Sequence, residues 1–193
     1  MMNIPSMNML NFNQNIFPQM NLSNEQKTLI RLKKEFELCS SDEDLVQIGC
    51  AFSLVNNNDL FTWKVSMVEP LDSPYKGGLF WIKIIFPKDY PKHGPEFKFM
   101  NKIYHLNVDL KNDGHISLSS INEWCTTGKV RERPVYGVKQ ALFDIFCLFY
   151  NQGIDSPYDE EMTKLYVSDK KKFDEIAGEW TKKYAYPNWI DSL

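Results

Sequence analysis

The residue pattern predicts an α+β domain made of one N-terminal helix, a four-stranded antiparallel meander, a long irregular connection and three C-terminal helices. Three observations carry that expectation. Ser23-Asn24-Glu25-Gln26 has the spacing of a helix-opening capping box. Between about Gln47 and Met100 the apolar period drops to two, and after Pro134 it returns to helical spacing.

Taken in order, residues 1–22 carry no charged side chain and are rich in Asn and Met, with Pro5 and Pro18, so they are expected to form an extension outside the core. Their Met, Phe and Ile side chains suit an anchor to a partner or to the domain itself. The first helix should run from Ser23 to about Leu38, with Leu29, Leu32 and Phe36 on one face and Lys27, Arg31, Lys33 and Lys34 elsewhere. Strand alternation follows at Phe61, Trp63, Val65 and Met67, then at Phe80, Ile82, Ile84 and Phe86. Turn chemistry separates these runs at Asn56-Asn57-Asn58-Asp59 and Leu71-Asp72-Ser73-Pro74, and Pro87, Pro91 and Pro95 close the last. Residues 101–134 have little periodicity, and a connection of that length inside one domain is usually functional. Beyond it Val138, Ala141, Leu142, Ile145, Phe146 and Phe149 define a buried helix. Met162, Leu165 and Tyr166 define the next, and Phe173, Ile176, Ala177, Trp180 and Tyr184 the last. The expected organisation is an extension at 1–22, a domain at 23–186 and a tail at 187–193.

Composition narrows the function classes. With 193 residues, 43% of them hydrophobic, there is enough apolar material for one core and too little chain for two comfortable domains. A formal charge of -3 and a pI near 5.7 give no basic field for phosphate backbones, so nucleic acid is not an expected partner. Cys39, Cys50, Cys125 and Cys147 form no C-x-x-C pair and have no His at ligand spacing, so they are expected to be reduced thiols, mostly buried, and neither metal nor cofactor is expected. The expected location is intracellular and reducing, the cytoplasm or nucleus by default, with an organelle open as an alternative. No run approaches the roughly 18 apolar residues of a membrane span. The opening Met1-Met2 also lacks the glycine of a myristoylation signal, and the uncharged start lacks the basic residues of secretory or mitochondrial leaders.

Several separated motifs then occur in one order. Asp72-Ser73-Pro74-Tyr75-Lys76-Gly77-Gly78-Leu79-Phe80 leads into a central strand. Phe86-Pro87-Lys88-Asp89-Tyr90-Pro91 matches F-P-x-D-Y-P, and Ile103-Tyr104-His105-Leu106-Asn107 matches I-Y-H-P-N except at Leu106. Gly114-His115-Ile116-Ser117-Leu118 fits G-x-I-C-L with serine in place of cysteine, and Glu179-Trp180-Thr181-Lys182-Lys183-Tyr184-Ala185 fits a closing helix. From about Ser23 to Ala185 the chain resembles the ubiquitin-conjugating enzymes.

The resemblance implies the ubiquitin-conjugating fold. It also implies descent from a protein that takes ubiquitin or a relative from an activating enzyme as a cysteine thioester and passes it to a lysine with a ligase's help. That chemistry needs a thiol, whereas the hydroxyl of Ser117 is a poor nucleophile without a base, and an oxyester holds its acyl group more firmly. His115 lies two residues away and on the same face of an extended segment, but a surface position is the simpler expectation for it. The resemblance makes His105 part of the loop motif, structural rather than catalytic. It makes Asn107 a support for the loop or for the oxyanion of lysine attack. The simpler role for Asn107 is loop support through its own backbone.

Further departures gather around the same position. Leu106 replaces a proline, two extra residues separate His105 from Ser117, and Ser119 and Ser156 stand where the family often has acidic residues. After Trp124 the family's W-S-P becomes the run Cys125 to Pro134, an insertion of about eight residues. At the other ligase-contact position, Lys92-His93-Gly94-Pro95 lacks the usual apolar anchor. Lys27, Arg31, Lys34, Lys92, Lys129, Arg131 and Arg133 are the candidate partner-binding residues.

Three readings follow. In the first, the chain is a natural noncatalytic relative, a binding or structural subunit of a larger protein assembly. In the second, it is an active conjugating enzyme whose cysteine was exchanged for Ser117 as an oxyester trap, with ubiquitin or a ubiquitin-like protein, activating enzyme and ligase as partners. In the third, Ser117 or Cys125 acts directly. Departures at Leu106, Ser117, Ser119, Lys92 and the post-Trp124 loop together favour the first, because a trap differs at one position.

Overall fold

The chain begins with helix α1 (Asn24–Ser40), and its first turn is closed reciprocally: Gln26 N–H donates to Ser23 Oγ, and Ser23 N–H to Gln26 Oε1. The computed structural model describes residues 22–68, 72–111, 113–121, 137–155 and 157–185. The 1–21 part of the N-terminal extension, the insertion with Cys125, Lys129, Arg131 and Arg133, residue Ser156 and the C-terminal tail lie outside the described residues.

A short helix α2 (Glu43–Gln47) follows where strand alternation was expected to begin. Its cause is local: the Asp42 carboxylate accepts from Leu45 N–H, and Glu43 and Asp44 sit in the first turn, where the helix dipole favours acids. Gly49, at φ +76°, turns the chain out of it into β1 (Ala51–Leu54). Strands β2 (Thr62–Val68), β3 (Leu79–Ile85) and β4 (Glu96–Phe99) complete an antiparallel sheet in the order β1-β2-β3-β4, the expected meander.

Pairs such as Trp63↔Ile84 and Val65↔Ile82 fix the register. They put Trp63, Val65, Met67, Phe80, Ile82 and Ile84 on one fully buried face. A one-residue slip would turn all of them to solvent, so the pattern specifies the pairing strongly.

Helices α3 (Val138–Leu148), α4 (Glu160–Ser168) and α5 (Lys170–Tyr184) follow, as three were expected. Phe149, just after α3, packs at a tilt against Phe80 at 5.1 Å and meets Phe99 edge-on at 5.8 Å, so the end of α3 is seated on the inner face of the sheet. At the other end Trp63 joins α1 to the sheet through Phe36 at 5.1 Å. The last helix is tied back by its C-terminus. Leu79 N–H donates to Ala185 O, and Asn101 Nδ2–H donates to Tyr184 O. These fixed points hold the two segments, 103–117 and 149–158, that meet at the site.

Of the described cysteines, Cys39 and Cys50 are buried and Cys147 is exposed. Burial pushes the thiols of both Cys39 and Cys50 up to about 12, so neither is a ready nucleophile. Among the described residues no group of His, Cys, Asp and Glu is arranged to hold a metal ion, and no helix is long and apolar enough to cross a membrane.

Candidate active site

Residues 114–117 run as a short extended segment along the edge of β4. Ile116 N–H donates to Phe97 O, Phe99 N–H to Gly114 O, and Lys98 bridges to His115. Gly114 makes this possible. Its φ is +71°, and a Cβ there would lie 2.2 Å from Phe99 O, closer than any side chain can approach. On its other side the segment meets the loop: Ser117 N–H donates to Asn107 O at 2.8 Å, and Asp109 N–H to His115 O. Ser117 and Asn107, 10 positions apart in sequence, are thereby held side by side.

His105 is buried, 1% exposed, and both its ring nitrogens are engaged. Asn107 N–H donates to Nδ1, which places the proton on Nε2, and Nε2–H donates to Leu148 O at 3.0 Å. Burial, opposed only in part by the bond to Leu148, lowers its pKa to about 4. A neutral imidazole with no open nitrogen cannot take a proton from Ser117.

Asn107 is also 1% exposed, and its amide makes a two-point contact across the fold. Nδ2–H donates to Gly153 O, and Gly153 N–H donates to Oδ1, each at 2.8 Å. The simple expectation that Asn107 bonds its own backbone is therefore corrected. Its side chain ties the loop to the turn after α3, because the carbonyl and amide of one residue's backbone match the amide group's donor and acceptor.

Leu106 is fully buried and its N–H donates to Gln152 Oε1 at 2.7 Å. Proline there has no N–H to give. Gln152 Nε2–H then donates to the Tyr75 hydroxyl, which donates to Tyr104 O. The Leu106 departure from the family motif is thus matched by a polar partner on the turn after α3.

Ser117 itself is 9% exposed. Nearby, the phenol of Tyr158 lies 2.7 Å from His115 Nδ1. Burial raises the pKa of the Tyr158 phenol, the Asp109 carboxylate adds to that, and the Ser117 hydroxyl opposes it. His115 is accordingly not a free surface imidazole; it is half-buried and packs edge-on against Tyr158. Beside Tyr158 a cavity of about 30 Å³, lined by Val108, Leu110, Asp159 and Met162 among others, has room for little more than water. Ser119 is exposed, while the neighbouring Ser120 donates to Asp144 at 3.0 Å.

The expected partner-binding residues divide. Lys27, Lys34 and Lys92 are exposed. Arg31 is folded back, 3.0 Å from Glu35 and 5.4 Å from the centre of the Tyr90 ring. The Thr28 hydroxyl donates to Tyr90 O, so α1 and the turn carrying Lys92 adjoin. His93, in the same turn, is paired with Asp89 at 2.6 Å.

Sequence reasoning missed Gln152, Gly153 and Tyr158. None belongs to a local motif, and each reaches the loop from more than 40 positions away.

The architecture and the order of these loops are matched among known proteins. A structure of a protein assigned as a ubiquitin conjugating enzyme from Plasmodium yoelii aligns at 31% identity, with a TM-score of 0.69, over 83% of this chain and 97% of that one. The E2 domain of a Toxoplasma gondii ubiquitin conjugating enzyme aligns at 30% identity, with a TM-score of 0.66, over 82% of this chain and 99% of its own. The family model described as ubiquitin-conjugating enzyme matches residues 31–181. The chain therefore belongs to the ubiquitin-conjugating enzyme family.

Proposed function

We propose that this member of the family forms no thioester and acts as a noncatalytic binding or structural subunit of a larger protein assembly. The observation that carries the reading is Ser117 in the Gly114-His115-Ile116-Ser117-Leu118 motif. A hydroxyl needs a base, and His105 offers no open nitrogen. The chain's partners are other proteins, met through Lys27, Arg31, Lys34 and Lys92, and through residues 1–22 and the loop with Lys129, Arg131 and Arg133. Its setting is the reducing interior of the cell. The domain that does this work is residues 23–186, with 1–22 as an extension and 187–193 as a tail.

A second reading has one observation in its favour: His105 and Asn107 keep a complete set of partners around position 117. That suits an active conjugating enzyme in which serine replaces cysteine as a trap. The departures at Leu106, Ser119 and Lys92 weigh against it.

The test is to incubate the natural protein with activating enzyme, ATP and ubiquitin and to run the products with and without reductant. No adduct is expected. A thiol-sensitive adduct would sink the noncatalytic reading, and reading the natural gene at codon 117 separates a trap from an inherited serine.

A further inference from the structure

The face of the sheet turned away from the core carries a row of three lysines. Strand register sets Lys64 directly opposite Lys83, and Lys83 directly opposite Lys98. Neighbouring strands lie about 5 Å apart, so three positive charges are strung across about 10 Å of β2, β3 and β4. Like charges placed opposite one another cost a sheet stability, so the fold gains nothing from the row. Its two ends are compensated. Lys64 Nζ sits 3.8 Å from the centre of the Trp81 ring, and Lys98 Nζ lies 3.4 Å from Asp113 and 3.6 Å from Glu96. Lys83, in the middle, forms no ion pair among the described residues. The face is open to solvent at both borders of the row: Ser53, opposite Lys64, is exposed, and Met100, whose N–H donates to Trp81 O, is 51% exposed.

We propose that this face docks an acidic segment of a partner protein, whose carboxylates pair with Lys64, Lys83 and Lys98 while an apolar side chain rests against Trp81 and Met100. None of the three lysines is among Lys27, Arg31, Lys34 and Lys92, and the inference does not depend on the chemistry at position 117. Charge selects the occupant. The chain carries a formal net charge of -3, so it repels a long polyanion at a distance, and a row of only three lysines gives a nucleic acid little to hold. A short acidic segment needs only the local field. It supplies the counter-charge missing at Lys83 and relieves the repulsion on either side of it, which fixes where the segment lies. The ordinary alternative is three lysines solvated one by one, and binding measurements separate the two.

The experiment follows, by fluorescence anisotropy at low salt, the binding of a fluorescein-labelled glutamate-rich peptide containing one leucine to the full-length chain. Its glutamine counterpart and an oligothymidylate of equal charge are the comparison probes. The natural chain should bind the glutamate peptide and not the glutamine one. K64Q/K83Q/K98Q should bind it about tenfold more weakly, the loss of three exposed charge pairs, and K83Q should show the largest loss of the three single variants. K83Q should unfold at no lower urea concentration than the natural chain, because it relieves repulsion, so its weaker binding is not a folding defect. The variant K170Q/K171Q/K172Q, which removes the same charge from α5, should bind as the natural chain does. Equal weakening by the two triple variants, or binding undiminished in K64Q/K83Q/K98Q, would overturn the proposal. Tighter binding of the oligothymidylate through the same three lysines would overturn it in favour of nucleic acid. None of these results bears on whether Ser117 carries an acyl group, so this proposal and the noncatalytic reading fail separately.

Discussion

The two sides of the 105–117 loop differ in a way that neither shows alone. On the inner side, His105, Leu106 and Asn107 are buried, and the polar groups named there are paired with Leu148, Gln152 and Gly153. On the outer side, His115 and Tyr158 form a partly exposed pair, joined at 2.7 Å, two positions from Ser117. A buried donor or acceptor left unpaired costs folding energy whatever the protein's job, so the inner side is held by stability. The outer side is held only by chemistry. When the chemistry is dispensed with, the outer side can change while the inner side cannot.

Perturbations of the two sides should therefore differ in kind. The largest effect is expected at their junction. Gly114→Ala puts a Cβ at 2.2 Å from Phe99 O with φ at +71°, and the combined strain and overpacking should cost about 4 kcal/mol in urea unfolding. A loss under about 1 kcal/mol would mean that the 114–117 segment is not held against β4.

Next comes the pH response of His105. Its pKa is about 4 when folded against 6.5 ordinarily, so between pH 6.5 and 4 the unfolded chain binds a proton that the folded chain refuses. Stability is full above pH 6.5, falls as the pH drops through that window and levels below 4, losing up to about 3 kcal/mol. Carboxylates titrate nearby, so the measurement is the difference between the natural chain and His105→Asn. An unchanged slope would place a charged imidazole in the loop and undo the contrast.

Asn107→Ala removes both bonds to Gly153 and should cost about 2 kcal/mol, part of Gly153 being open to water. Tyr158→Phe should be the mildest, under about 1 kcal/mol, because Tyr158 is 43% exposed and loses only its bond to His115. If Tyr158→Phe proved costlier than Asn107→Ala, the outer cluster would be structural too, and the distinction between the two sides would fail.

Much of the fold was legible because it is written in local spacing. The Ser23 and Gln26 pair closes α1 as its spacing requires, and alternation at Trp63, Val65 and Met67 and at Phe80, Ile82 and Ile84 marks the face that is buried. Helix α2 was not legible. Its five residues are too few to show a period, and only the Asp42 cap with Glu43 and Asp44 behind it marks the start. The site was legible on one side only. Asn107 and His115 stand in motifs, but their partners, Gly153 and Tyr158, arrive through tertiary contacts 46 and 43 positions away. No local pattern encodes such a meeting. Asn107 shows the consequence, since a short-range backbone bond was the natural expectation and a cross-fold tether is what forms.

The central claim is that position 117 carries no acyl group in the working protein. It is tested most directly by intact-mass measurement of the natural chain after prolonged incubation with excess activating enzyme, ATP and ubiquitin, followed by peptide mapping across Gly114 to Leu118. The account predicts an unmodified mass and an unmodified Ser117 peptide. A species heavier by one ubiquitin, resistant to thiol, released by hydroxide and mapped to Ser117, would contradict it.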